Sequence, residues 1–455
     1  MTARQTNKYI VLFLIGIISI IPIFLSNNIA AQYEFSNYAI LQSCLFWLLF
    51  KFKEDRFKFL LSPSFLAVSY LNINFLIGSW VFKNDLVFTR LLPDYKLWEY
   101  AASRMFLFNT INFVIIISYF LRLNLRFNFK EQVNLNTINQ RFLFQITLVS
   151  FFAVLIAAPY LEFIGFYITI LKTVLALILI TYAFKTFKFA KRSFFYLLII
   201  FIFVLFSVDS KREAIFLVLP IILLESSKYK LSINFKQIII FSGLIFSIFY
   251  FIIIMSILRN YGGFKADNFL EATTYVDDYI KSKNFVAGFM NNLEISSTYL
   301  HSNNVIEYIK KDKIDFALGE TIIKPLFIIL PRKYFVFKPR SAIDIYTTKH
   351  DDKFRNRGGS FPVSVQSELY LNFGYLSYIF ALIFFTFFNG VYKNVLNLIK
   401  ENRILNYVYL LYTYEIFLAL IRGSGLDIFT VYTIIFIIFF FIYKLFLKLS
   451  YVFIK

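Results

Sequence analysis

Residues 237–257 read QIIIFSGLIFSIFYFIIIMSI, twenty-one residues without a charge, and at Leu258-Arg259 the pattern turns abruptly polar. As an α-helix the run is about 30 Å long, the thickness of a bilayer's hydrocarbon core. The next stretch, residues 259–367, is dense in Arg, Lys, Asp and Tyr, and at Leu369 the apolar pattern resumes. The fold class is set by this alternation, repeated along the chain.

Working outward, eleven further runs of similar character give about twelve candidate spans: 9–26, 36–50, 59–79, 101–120, 142–160, 163–183, 194–208, 213–226, 237–257, 369–391, 404–420 and 425–443. The second and eighth are short, and Pro220 in the eighth points to a tilted or broken helix. With 59% hydrophobic residues, 16% charged residues and a mean hydropathy of +0.67, the expected class is an all-α polytopic membrane protein. Residues 1–31 imitate a secretory signal, but the length of the run and the spans behind it favour a retained first helix. Three parts are expected: a membrane domain over 1–257 with nine spans, a large extracytoplasmic loop or cap over 258–367, and a membrane domain over 368–455 with three.

The net charge of +20 raises nucleic acid as a partner, and its distribution argues for lipid instead. With the N-terminus inside, the inner loops and both termini hold 23 of the 47 Lys and Arg residues, and the short outer loops hold 7. That is a positive-inside pattern. The insert then lies outside and both termini inside. The insert's 16 basic residues do not bear on topology, because long loops translocate regardless of charge, so they need another reason. The one cysteine, Cys44, excludes a disulfide framework.

Four constellations carry chemistry. The strip 330–340, LPRKYFVFKPR, combines two prolines, aromatics and the cations Arg332, Lys333, Lys338 and Arg340. Arg grips phosphate oxygens with a planar fork and Lys with a point charge, which suits a lipid-linked phosphate; the plainer role is an interfacial anchor. Next, Arg355 and Arg357 precede Gly358-Gly359, whose N–H groups could cradle an anion, and lead to Glu368 at the mouth of the tenth span. Glu368 is either functional or tied to a loop Arg. Arg212 and Arg422 occupy two tight outer links, either converging on one anionic headgroup or capping their hairpins. Lys172 inside the sixth span is expected to snorkel, pair with Glu162 or line a cavity. His350 reads either as a general base, a role the histidine side chain suits, or as an exposed loop histidine, and neither it nor His301 has a second ligand at metal-binding spacing. No Walker motif, dinucleotide fingerprint, GxSxG elbow or HExxH occurs, which disfavours an ATP-driven pump.

The order Gly319, Pro331-Arg332, Lys338-Pro339, Gly359-Ser360 with Pro362, and Glu368-Leu369-Tyr370-Leu371-Asn372-Phe373-Gly374 resembles the oligosaccharide repeat-unit polymerases, the O-antigen (Wzy-type) polymerases of bacterial surface polysaccharides. The resemblance covers topology over the whole chain and motifs from about 209 to 374; Glu213 and Ser377 stand where glycines are common in the family. It implies a GT-C-like membrane glycosyltransferase architecture in the bacterial inner (cytoplasmic) membrane, with a periplasmic loop. The implied reaction transfers a glycan from undecaprenyl pyrophosphate to the next lipid-linked repeat unit, without metal or other cofactor. It also implies an undecaprenyl-pyrophosphate-linked oligosaccharide and the bilayer as partners, a chain-length regulator as a further one, and no nucleic acid. On this scheme Arg212, Arg332, Lys338, Arg340, Arg355, Arg357 and Arg422 hold the pyrophosphate. Glu368 is the first candidate base, with His350 and Asp344 behind it. The alternatives are an O-antigen ligase of the same outline and a polysaccharide flippase or transporter.

Overall fold

The computed structural model describes residues 42–43, 45–46, 56–83, 102–121, 137–160, 165–206, 211–228, 235–260, 263–293, 295–327, 337–401, 406–422, 426 and 428–452. Among them all regular structure is helical. In chain order the helices are α1 (Arg56–Leu60), α2 (Pro63–Lys83), α3 (Ala102–Leu121), α4 (Thr137–Ala157), α5 (Gly165–Thr186), α6 (Phe189–Phe206), α7 (Lys211–Lys228) and α8 (Phe235–Leu258). The polar insert adds α9 (Phe269–Thr274), α10 (Val276–Lys281), α11 (Phe285–Leu293), α12 (Ile295–Lys310), α13 (Glu320–Ile323), α14 (Ala342–His350) and α15 (Asp352–Asn356). After it come α16 (Val365–Phe373), α17 (Ser377–Glu401), α18 (Asn406–Arg422) and α19 (Ile428–Val452).

Each expected span from the third onward coincides with a helix. The first lies outside the described residues, and so does most of the second. Among the described residues Val365–Ile399 is long and apolar enough to cross a bilayer, and shorter apolar stretches include Pro63–Gly78, Leu107–Leu121 and Arg141–Ala157. Two local expectations change. Pro220 sits inside a continuous α7, and the tenth span is interrupted at Gly374. There φ is +53°, a value that favours glycine, and a Cβ would meet the Phe316 ring at 3.2 Å.

The chain divides into two compact units: Met1–Arg122 with Ser232–Asn389 and Ala419–Asp427, and Leu123–Leu231 with Gly390–Leu418 and Ile428–Lys455. The division reflects packing, whereas the three-part division 1–257, 258–367, 368–455 is a statement about sides of a bilayer.

In the first unit the insert is not a detached lobe. Its longest helix, α12, lies against α2 more extensively than any other described helix pair. Gly78 makes the approach close, since a Cβ there would stand 2.6 Å from Tyr299 Cβ. Phe75 and Tyr299 meet edge to face at 5.1 Å, and Tyr70 and Thr298 share a hydrogen bond of 3.2 Å. Residues 298–309 are buried without interruption, although they include Thr298, His301, Ser302, Asn303, Asn304 and Glu307. Polar partners on neighbouring helices take the place of water. Asn389 donates to Ser64 and Ser118, at 2.7 and 3.1 Å, Gln366 donates to Asn112 at 2.8 Å, and Ser367 donates to the Ser302 carbonyl at 3.0 Å. A separate apolar cluster of Ile253, Ile254, Ile257, Ala266, Ala272, Tyr279 and Phe289 fastens the end of α8 to α9, α10 and α11.

In the second unit α4 packs on α5 and α19, and α7 on α5 and α6. Phe144 stacks on Tyr182 at 4.5 Å. Lys172 is buried, with its ammonium 5.5 Å from the Phe203 ring centre; the cation–π contact offsets part of its desolvation. Arg192, 1% exposed, donates to Glu225 Oε2 at 2.9 Å, and Tyr196 donates to the same carboxylate at 3.1 Å.

Candidate functional site

The expected site residues of the insert gather, in the first unit, into a buried joint around Glu368 and an aromatic cluster around the two histidines. The joint begins with a helix start. Pro362 precedes Ser364, whose side chain caps α16 by accepting from Ser367 N, as an N-terminal serine does. One turn in, Glu368 is fully buried, with 0% exposure. Thr321 Oγ1 donates to its Oε1 at 2.7 Å, and the backbone N–H of Leu426 donates to its Oε2. Asn372, one turn further, donates through Nδ2 to Thr321 Oγ1 at 2.9 Å and to the Glu368 carbonyl at 2.8 Å. Its Oδ1 accepts from Gly319 N at 3.1 Å. Ala317 N adds a backbone bond to Leu371 O, 2.9 Å. The motif's Glu and Asn therefore meet Gly319 and Thr321 in one desolvated network, where a hydrogen bond to a charged acceptor is strong and an unmade one is costly.

From the other side of this turn, Glu320 accepts the backbone N–H of Arg340 at 2.7 Å, and the Arg340 guanidinium lies 3.6 Å from the same oxygen. Arg340 itself is exposed, Lys338 half-buried, and Phe337 98% exposed.

The second cluster holds both histidines of the chain. His301 on α12 and His350 on α14 lie 5.3 Å apart, ring centre to ring centre. His301 Nδ1 pairs with Tyr346 OH at 2.7 Å, and His350 Nδ1 with Tyr308 OH at 2.8 Å. Phe361 covers His301 at 4.2 Å. Burial, reinforced by His350, pushes His301 well below the ordinary histidine value of 6.5, because a charged ring there is unsolvated and would be repelled by any charge on its neighbour. Nearby, Arg355 donates to Asp344 Oδ1 at 2.7 Å and to the Gly359 carbonyl at 3.2 Å. Arg357 is exposed, donating to Lys353 O at 3.2 Å.

Several expectations are redrawn. The N–H groups of Gly358 and Gly359 donate to Arg355 O and Phe354 O at 2.9 and 3.0 Å, so they close α15 instead of facing an anion. Asp344 and Arg355 stand together as an ion pair; Glu368 is engaged by a hydroxyl and a backbone N–H. Arg332 lies outside the described residues. Arg212 belongs to the first turn of α7, in the second unit, and Arg422 ends α18, in the first; the side chains of both lie outside the described residues. Sequence reasoning passed over Thr321, Tyr308 and Tyr346, which carry no motif of their own. Among the described residues no group of three or more His, Cys, Asp or Glu is placed to hold a metal ion. Compared with family models, curated proteins and solved structures, the chain matches none.

Proposed function

We propose that this chain is a multi-pass bacterial inner-membrane glycosyltransferase of about twelve spans, a repeat-unit polymerase of the O-antigen type. It moves a growing glycan from undecaprenyl pyrophosphate to the next lipid-linked repeat unit. The observation that carries the reading is that Glu368 and Asn372 of the motif close on Gly319 and Thr321 in one buried joint. The exposed Arg340 is attached to the same turn. The chemistry asks for little else. An acceptor hydroxyl attacks the anomeric carbon, the bond from that carbon to the pyrophosphate oxygen breaks, and the hydroxyl proton passes to a base. Positioning and charge stabilisation do most of this work.

Lys338, Arg340 and Arg357, with Arg332 and Arg422, are the cations assigned to the pyrophosphate. For the proton we favour His350: it is half-buried and held in orientation by Tyr308, whereas the Asp344 and Glu368 carboxylates are buried and engaged. Deleting the gene and running the surface glycan on a gel tests the reading. Loss of the long ladder with one repeat unit retained is expected. Unchanged chain length overturns it, and a full ladder that no longer reaches its lipid anchor points to a ligase.

A further inference from the structure

Along 316–326 the usual sorting of side chains is reversed. Thr321 is fully buried and donates to Glu368, whereas Phe316, Leu318, Ile323 and Leu326 are exposed. Leu318 is the extreme case. It is 84% exposed at the tip of a turn, and its φ of +44° lies in the left-handed region that glycine, asparagine and aspartate fill far more readily than leucine. Neither packing nor backbone preference accounts for a leucine there. An apolar side chain held outward on a strained turn, among other exposed apolar residues, points to an apolar partner.

What that partner is follows from where the turn is fixed. On either side of Leu318, Ala317 N donates to Leu371 O at 2.9 Å and Gly319 N to Asn372 Oδ1 at 3.1 Å, and the Phe316 ring lies over Gly374. The turn is therefore fastened to the head of α17. That helix buries Ser377, Ala381 and Phe385 and exposes Leu376, Ile379, Ile383 and Phe387, a single stripe at helical spacing. The run Val365–Ile399 that contains it is long and apolar enough to cross a bilayer. At the head of the stripe Tyr375 is exposed, an apolar ring with a polar tip that suits the headgroup level. Its ring and that of Phe316 each lie 6.0 Å from Tyr370, centre to centre, so the apolar surface passes from α17 through these rings into the turn. Asp315, just before Phe316, is exposed, and a carboxylate that stays in water keeps any insertion shallow.

We propose that the 316–326 segment is a lipid-binding wedge, with Leu318 at its tip entering the boundary between headgroups and acyl chains beside α17. This rests on the multi-pass membrane reading above and not on the glycan chemistry. The partner is the bilayer surface, joined by apolar burial. Because Thr321 lies between Leu318 and Ile323, the wedge also ties the joint at Glu368 to a fixed depth.

Spin labels on the full chain test this. Cys44→Ser removes the one native cysteine, and Leu318→Cys, Ile383→Cys or Ser360→Cys then carries a nitroxide in vesicles of phosphatidylethanolamine and phosphatidylglycerol. Collisions with oxygen report lipid and collisions with a water-soluble nickel chelate report water. Ile383 is the lipid reference and Ser360, exposed in the insert, the water reference. The oxygen-to-nickel ratio at Leu318 is expected at least about threefold above that at Ser360, as for an interfacial side chain. A Leu318 ratio equal to that of Ser360, with Ile383 still favouring oxygen, overturns the wedge and leaves the membrane reading in place. An Ile383 ratio equal to that of Ser360 overturns both. Spin–spin broadening at Leu318 that vanishes on dilution with unlabelled chain puts a second copy on this face and overturns the lipid contact. Leu318→Asn keeps a residue at home in the left-handed turn; with the label at Ile323→Cys, it should lower the ratio about twofold. An unchanged ratio there overturns Leu318 as the anchor.

Discussion

Two carboxylates, the half-buried Glu225 of the second unit and the fully buried Glu368 of the first, are held across different stretches of sequence. Glu225 in the second unit is met by a guanidinium, that of Arg192, on a helix 33 residues away. Glu368 in the first unit is met by a hydroxyl and a backbone N–H that lie 47 and 58 residues away, before and after it. Guanidinium pairing neutralises charge and clamps two neighbouring helices. The contacts of Thr321 and Leu426 with Glu368 tie together three segments remote in sequence. A chain that must bring remote segments to one place gains more from the second arrangement.

The contrast is easiest to break at Arg192. Arg192→Ala leaves the half-buried Glu225 without its cation and empties the buried place of the guanidinium, and a loss of about 3 kcal/mol is expected, read by thermal or chemical unfolding in detergent. A loss under about 1 kcal/mol would place the pair with ordinary surface bridges and erase the distinction. Gly78→Ala sharpens the other side. Its new Cβ collides with Tyr299 and should cost about 2 kcal/mol by spreading α2 from α12, the helix on which Ser367 and hence α16 rests. Tyr299→Ala in the same chain should restore the Gly78→Ala geometry in part, and failure to do so would mean that the helices adjust independently.

Acid is expected to act on the first unit. His301 is held below 6.5 in the folded chain, so below that pH the unfolded chain binds the extra proton. Stability is complete above about pH 6.5 and drains as pH falls towards the folded value, by at most about 1.4 kcal/mol per unit. Tm measured at pH 7.5 and 5.5 should therefore drop, and His301→Phe should remove that part of the drop. An unchanged slope would exclude His301 as its source. The smallest stability effect belongs to Arg340→Ala, which breaks a half-exposed pair with Glu320 and should cost under about 1 kcal/mol while abolishing elongation. Activity lost only in proportion to stability would detach Arg340 from the site.

The helices were legible in the sequence because apolar runs of span length fold as helices wherever they lie, and every such run from 59–79 onward does so. The insert was legible as polar but not as buried. In α12 the series Ser297, Thr298, His301, Ser302, Asn303, Asn304 looks like a solvated face, and no periodicity distinguishes water from the hydroxyls and amides of other helices as its partner. Glu368 was recognisable as special because an acid at the mouth of a membrane helix is expensive. Its partners were not, for Thr321 and Leu426 N lie dozens of residues off and one of them is backbone. The histidines, 49 residues apart, were read singly for the same reason.

The network around Glu368 sits out of water, with the carboxylate 0% exposed, so dissolved ions have little purchase on it. Arg340 and Arg357 stand in the open, within reach of every counterion. Raising ionic strength should therefore weaken any grip these cations have on a charged substrate while leaving the buried network intact, which makes salt a way to titrate the one without touching the other.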